Sequence, residues 1–183
     1  MDTTYLSEPQ MVAGGLLIAR LVFGLLIAAH GTQKLFGWLG GYGLRGTGGF
    51  FEQLGFRPGV LFAAAASMAE ITSGVLVALG LFGPVGPALM ISVMLVAAVS
   101  VHVGNGLFAT TNGVEVPLLY ATGAVAFALI GPGAFSLDAL LGITPVWTRG
   151  ITLAVLGLGV LGGIANLALR RPHAGTVPGT SRA

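Results

Sequence analysis

Five apolar runs dominate the chain, at 12–31, 60–82, 87–103, 117–130 and 151–169. A hydrocarbon layer of about 30 Å takes roughly 20 helical residues to cross. The fourth run is short, and is expected to begin near Val114, to tilt, or to sit in a thinned patch of bilayer. Polar and Gly-rich breaks separate the runs. Residues 36–58 form a long connection carrying Trp38, Tyr42, Phe50, Phe51 and Phe56, a composition suited to the membrane interface. Within it, Thr47 is placed to cap a short helix over 50–54. Residues 83–86 turn around Pro84, and 104–113 are polar. Ser136-Leu-Asp138 reads as the start of another short interfacial helix, with Ser136 as its cap.

This pattern predicts an all-α membrane protein. A short N-terminal tail (1–11) precedes a four-helix transmembrane bundle (12–145), then an additional C-terminal transmembrane helix (146–170) and a disordered tail (171–183). On the last run, Gly159 and Gly163 are spaced to let a neighbouring helix approach closely. Internal repeats of the kind that build transporters are not evident.

Composition narrows the class further. Of 183 residues, 55% are hydrophobic and 8% charged, and the mean hydropathy is +0.93. A soluble domain carries about 25% charged residues, so soluble enzymes, nucleic-acid binders and disulfide scaffolds are excluded. The net charge of +2 implies no anionic polymer partner. Without Cys there is no disulfide, no thiol chemistry and no Cys-ligated cluster. The first ten residues include Asp2 and Glu8 but no Lys or Arg, so they lack the positive start of a signal peptide. The first apolar run is therefore expected to remain as a span.

Five spans would put Lys34, Arg45, Arg57, Arg170, Arg171 and Arg182 on one side and Arg149 on the other. That bias predicts a cell inner membrane protein with its N-terminus outside and its C-terminus in the cytoplasm.

Ionisable groups inside spans are costly, and they face the bundle interior, a partner or a water-filled cavity. Arg20 and Glu70 lie near the middles of the first two spans, which are antiparallel neighbours, so a buried ion pair between them is expected. His30 and Lys34 share a helix face. His102 closes the third span and Glu115 opens the fourth. His30, Lys34, His102, Asn105 and Glu115 are therefore expected at one membrane face, in a pocket roofed by the aromatic connection. Such a set could hydrogen-bond a quinone carbonyl and relay its protons. Two histidines and a carboxylate could also bind a metal, although their spacing fixes no geometry. Haem is disfavoured, because both histidines sit at helix ends. Equally, these side chains could only fix helix packing or point to water. No phosphate loop, nucleophile elbow or His-Glu-x-x-His motif is present, and no catalytic residue is assigned.

The runs Arg20-Leu-Val-Phe-Gly24, His30-Gly-Thr-Gln-Lys34-Leu-Phe, Glu70-Ile-Thr-Ser-Gly74 and Leu79-Gly-Leu81 together resemble the DoxX family of small bacterial integral-membrane proteins. His102, Glu115 and the stretch Gly131-Pro-Gly133 to Ser136-Leu-Asp138 extend the resemblance, which covers residues 16–141. It implies a four-helix membrane protein. It further implies a link to redox chemistry, since the family name comes from a subunit of an archaeal thiosulfate:quinone oxidoreductase, and some relatives work in oxidative-stress defence with soluble partners. The family positions carried onto this chain are Arg20, His30, Lys34, Glu70, His102 and Glu115. The chain departs from the four-span pattern by its run at 151–169, which suits a partner-docking helix. Two readings follow. One is a subunit of a quinone-linked or redox-related complex, not active alone. The other is a non-catalytic assembly subunit, ahead of an oligomeric transporter.

Overall fold

The computed structural model describes residues 7–171. The expected disordered tail, apart from Arg171, and the first six residues of the N-terminal tail lie outside them. Among the described residues the fold is all-α, without strands: α1 (Glu8–Phe36), α2 (Gly43–Gln53), α3 (Gly59–Leu79), α4 (Val85–Ala97), α5 (Glu115–Ile130), α6 (Leu137–Leu140) and α7 (Arg149–Ala168). Four helices are long and apolar enough to cross a membrane, namely α1, α3, α4 with its extension to Asn105, and α7. They define a protein of the lipid bilayer. Helix α5 has 16 residues and runs from the 104–114 loop to the turn at Gly131.

Helix α1 starts earlier than the hydropathy suggests, because Pro9 suits a first turn and the Gln10 side chain accepts from the Ser7 N–H. Glycine sets how closely α1 and α3 cross. A Cβ at Gly24 would collide with the Gly74 carbonyl oxygen, and one at Gly74 would collide with that of Gly24. Gly31 lies equally tightly on Ser67 and Ile71. In lipid, where apolar surface gains little by leaving the solvent, such backbone approach is a main source of helix association. The α4–α7 contact uses the same device, with Gly159 seated on Ala88 and Gly163 on Ser92 and Leu95. The core between α1, α3, α4 and α5 holds Ile27, Val77, Met90, Met94, Tyr120 and Phe127. Phe23 meets Tyr120 and Phe127 edge-on, at centroid distances of 5.6 and 5.4 Å.

Two faces result. The α2 face carries α2, the 104–114 loop and the end of α7. Arg170 Nε donates to Leu54 O at 2.6 Å, and Arg171 N donates to Gly55 O at 2.8 Å. The opposite face carries α6, the turn at Pro84 and Trp147. Ser136 caps α6 as expected, accepting from Ala139 N at 3.1 Å. Thr47 does not cap a helix. The helix begins at Gly43, and Thr47 is buried inside it with its hydroxyl on the Lys34 carbonyl at 3.3 Å, so it joins α2 to α1 instead.

Candidate functional site

Lys34, in the last turn of α1, forms an ion pair with Glu70, in the middle of α3. Glu70 is 2% exposed and Lys34 is 32% exposed. Lys34 bonds Glu70 Oε1, while Glu70 Oε2 is buried without a hydrogen-bond partner.

The expected Arg20–Glu70 pair does not form, and helix register is the reason. Gly24 lies against Gly74, Gly31 against Ser67 and Ile71, and the Arg20 guanidinium against Gly80. Arg20 is thus ten residues out of register with Glu70, about 15 Å along the axis at 1.5 Å per residue. Side-chain direction widens the gap. Helical Cα–Cβ bonds tilt toward the helix N-terminus. In this antiparallel pair, Lys34 therefore leans down into the membrane and Glu70 leans up toward it, while Arg20 leans away toward the opposite face.

At that opposite face Arg20 donates through Nη2 to Phe135 O, and it sits in the favourable field of Asp138. Gly80 makes room for it. Its left-handed φ of 62° suits the end of α3, and any Cβ there would overlap the guanidinium. Asp138 is fully buried. Its carboxylate accepts from Phe82 N at 2.8 Å, Gly83 N at 2.7 Å and Trp147 Nε1 at 2.7 Å. This knot joins α1, the α3–α4 turn, α6 and the chain leading into α7. The polar pattern had not singled out Asp138 or Trp147 for this role, because their partners are backbone amides far away in sequence.

The other expected site residues divide between two places. A cavity of about 360 Å³ opens beneath α2, between α3, α4 and α7. Lys34 and His102 both line it, together with Phe50, Phe51 and Phe56 from the aromatic connection. Lys34 also lines an open groove of about 740 Å³ on the outer side, against Tyr42 and Gln53. The Lys34–Glu70 pair thus stands at the boundary between an interfacial groove and an apolar chamber.

His30, Asn105 and Glu115 do not line the chamber. His30 is exposed and packs edge-on against Tyr120 at 6.3 Å. Glu115 accepts from Ala109 N at 2.7 Å, and Asn105 Nδ2 donates to Val101 O at 3.0 Å and Asn112 O at 3.3 Å. Both bind the backbone of the 104–114 loop. His102 takes part in each setting, because its Nδ1 lies 2.8 Å from Asn112 O. A carbonyl only accepts, so Nδ1 carries the proton, and Nε2 of the neutral ring is left as an acceptor. Among the described residues, no three His, Asp or Glu side chains gather as metal ligands.

Ser100 is a chamber residue that the sequence pattern did not mark. It lies where α4 widens into a π turn over Ala98–His102, with Val103 N bonded to Ala98 O. Such turns interrupt α-helices frequently at functional positions. Hydropathy does not register them, since Ala, Val and Ser suit either helix type.

No curated protein and no solved structure matches the chain. The sequence model of the DoxX family matches residues 15–103, a stretch that holds most of α1 and all of α2, α3 and α4. Both partners of the Lys34–Glu70 pair and the two chamber residues His102 and Ser100 fall inside it, and the match supports membership of the DoxX family.

Proposed function

We propose that this protein is a small subunit of a redox-linked complex in the inner membrane, and that its chamber binds a quinone head group. The observation that carries the reading is the chamber itself. It is an apolar space of about 360 Å³, with an ammonium and an imidazole among otherwise mostly apolar lining residues. Binding sites for small molecules combine these properties: apolar walls and a few polar groups that fix orientation. Lys34 has three N–H donors and gives one to Glu70, so others are available for a carbonyl oxygen. His102 offers Nε2. Glu70, with one carboxylate oxygen unpartnered, is placed behind Lys34 to take or return a proton. Electrons would come from a partner subunit, which is why activity from this chain alone is not expected. The α2 face would be cytoplasmic, since it carries Lys34, Arg45, Arg57, Arg170 and Arg171, and the opposite face carries Arg149 and the buried Arg20.

Purification in mild detergent, followed by mass spectrometry of bound small molecules and by titration with decyl-ubiquinone, tests this reading. Extractable quinone is expected, as is a saturable rise in melting temperature that weakens in Lys34→Met and His102→Ala. If no quinone is extracted and the melting temperature does not respond, quinone binding is refuted.

A second reading has support of its own. Asp138 with Arg20 at one face, and Glu115, Asn105 and His102 at the other, tie loops to helices in the manner of an assembly subunit. A stoichiometric protein partner without a bound small molecule would favour it.

A further inference from the structure

We propose that Ser100 is a ligand-binding residue of the chamber, presented by α4 beside His102 to hydrogen-bond the head group at a point distinct from Lys34. This deepens the quinone reading and rests on it. Buried hydroxyls in helices normally fold back on a nearby carbonyl. Ser67 does so on Ala63 O at 2.7 Å, and Ser73 reaches Gly86 O at 2.9 Å. The Ser100 hydroxyl is buried and has no partner. A buried polar group left unsatisfied destabilises a fold, and Ser100 lines the same chamber as Lys34 and His102.

Ser100 shares the α4 face of Val93, Val96 and Ala97 at ordinary helical spacing, and the turn brings His102 to the same chamber. Around a regular helix, residues two apart point about 200° from each other. Across the Ala98–His102 turn, Ser100 and His102 nevertheless line one chamber. The chamber thus offers a cationic donor on α1 and, on α4, a hydroxyl and an imidazole. A ring bearing two carbonyl oxygens, as in a 1,4-benzoquinone, matches that arrangement. One oxygen accepts from Lys34 and the other from Ser100. The hydroquinone form of such a ring could bind in the same place, its hydroxyl donating to Ser100 Oγ or His102 Nε2.

The test compares the full-length protein with Ser100→Ala and Ser100→Thr in detergent, without ligand and with decyl-ubiquinone. Loss of one neutral hydrogen bond should weaken binding about fivefold in Ser100→Ala, while Ser100→Thr, which keeps the hydroxyl, stays near the parent. Without ligand, Ser100→Ala should melt at a higher temperature than the parent, because the unsatisfied hydroxyl is gone. That opposition between stability and binding is what a merely structural serine would not produce. Equal affinity of the parent and Ser100→Ala for decyl-ubiquinone overturns the role of Ser100 and leaves the quinone reading standing. Absence of binding by the parent overturns both.

Discussion

The Lys34 ammonium on α1 is bonded to one carboxylate oxygen of Glu70 on α3, and the other oxygen faces no donor. The pair is unequal. Glu70 is enclosed, whereas Lys34 keeps about a third of its side chain exposed and lines both the groove and the chamber. The lysine can turn toward the interface, and the glutamate cannot. This asymmetry gives the two members different mutational signatures.

Lys34→Met should destabilise more than Glu70→Gln. The first leaves a buried carboxylate without compensation, a loss of about 3–5 kcal/mol. The second leaves a lysine that can seek water, a loss of about 1–3 kcal/mol. The double variant should recover much of the sum. Thermal unfolding in detergent reads all three, and a larger loss in Glu70→Gln would contradict the asymmetry.

Arg20→Gln and Glu70→Gln should act additively. The register sets them about 15 Å apart along the helices, and sites separated by more than 7–10 Å couple by only about 0.3–0.5 kcal/mol. A double-mutant cycle on melting free energies measures this. Coupling above about 1 kcal/mol would mean that the α1–α3 register differs from the one described.

Asp138→Asn should be among the most damaging single changes, at about 3 kcal/mol or more, because one amide oxygen cannot satisfy three N–H donors and an arginine's field. In a Trp38→Phe background, Trp147 emission should change as its indole N–H loses its charged acceptor. Unchanged emission and melting would refute the knot.

Gly24→Ala and Gly15→Ala should have opposite signs. A methyl at Gly24 meets the backbone of α3, and overpacking of this kind costs about 1–3 kcal/mol. A methyl at Gly15 meets nothing within 4 Å, and relieving a helix of glycine stabilises by about 0.5–1 kcal/mol. Melting temperatures of the two variants decide.

A C-terminal alkaline phosphatase fusion should be silent and a C-terminal green fluorescent protein fusion bright, as expected if the basic α2 face and the end of α7 lie in the cytoplasm. The reverse pattern would invert the proposed orientation.

Hydropathy was sufficient for the class and for the approximate place of every long helix, because a segment that buries its backbone in lipid must be helical and apolar whatever its neighbours are. Local chemistry was equally legible where it acts within a few residues: Ser136 caps α6, and the four-residue spacing of Gly159 and Gly163 marks the face packed on α4. Pairing between helices was not legible in the same way. Arg20 and Glu70 both lie near span centres, but depth estimated from span ends is uncertain by a turn or more. The Gly24–Gly74 crossing fixes the register that gives Glu70 to Lys34 and Arg20 to the Phe135 carbonyl. Asp138 and Ser100 were hidden for a related reason. One draws its meaning from backbone amides 55 and 56 residues away, and the other from a chamber that forms only when α4 packs with α1, α2, α3 and α7. The number and character of the helices are properties of single segments facing lipid. The partner of each buried charge, and which polar residues share a chamber, depend on how closely two backbones approach and at what offset, and that is settled by packing between segments.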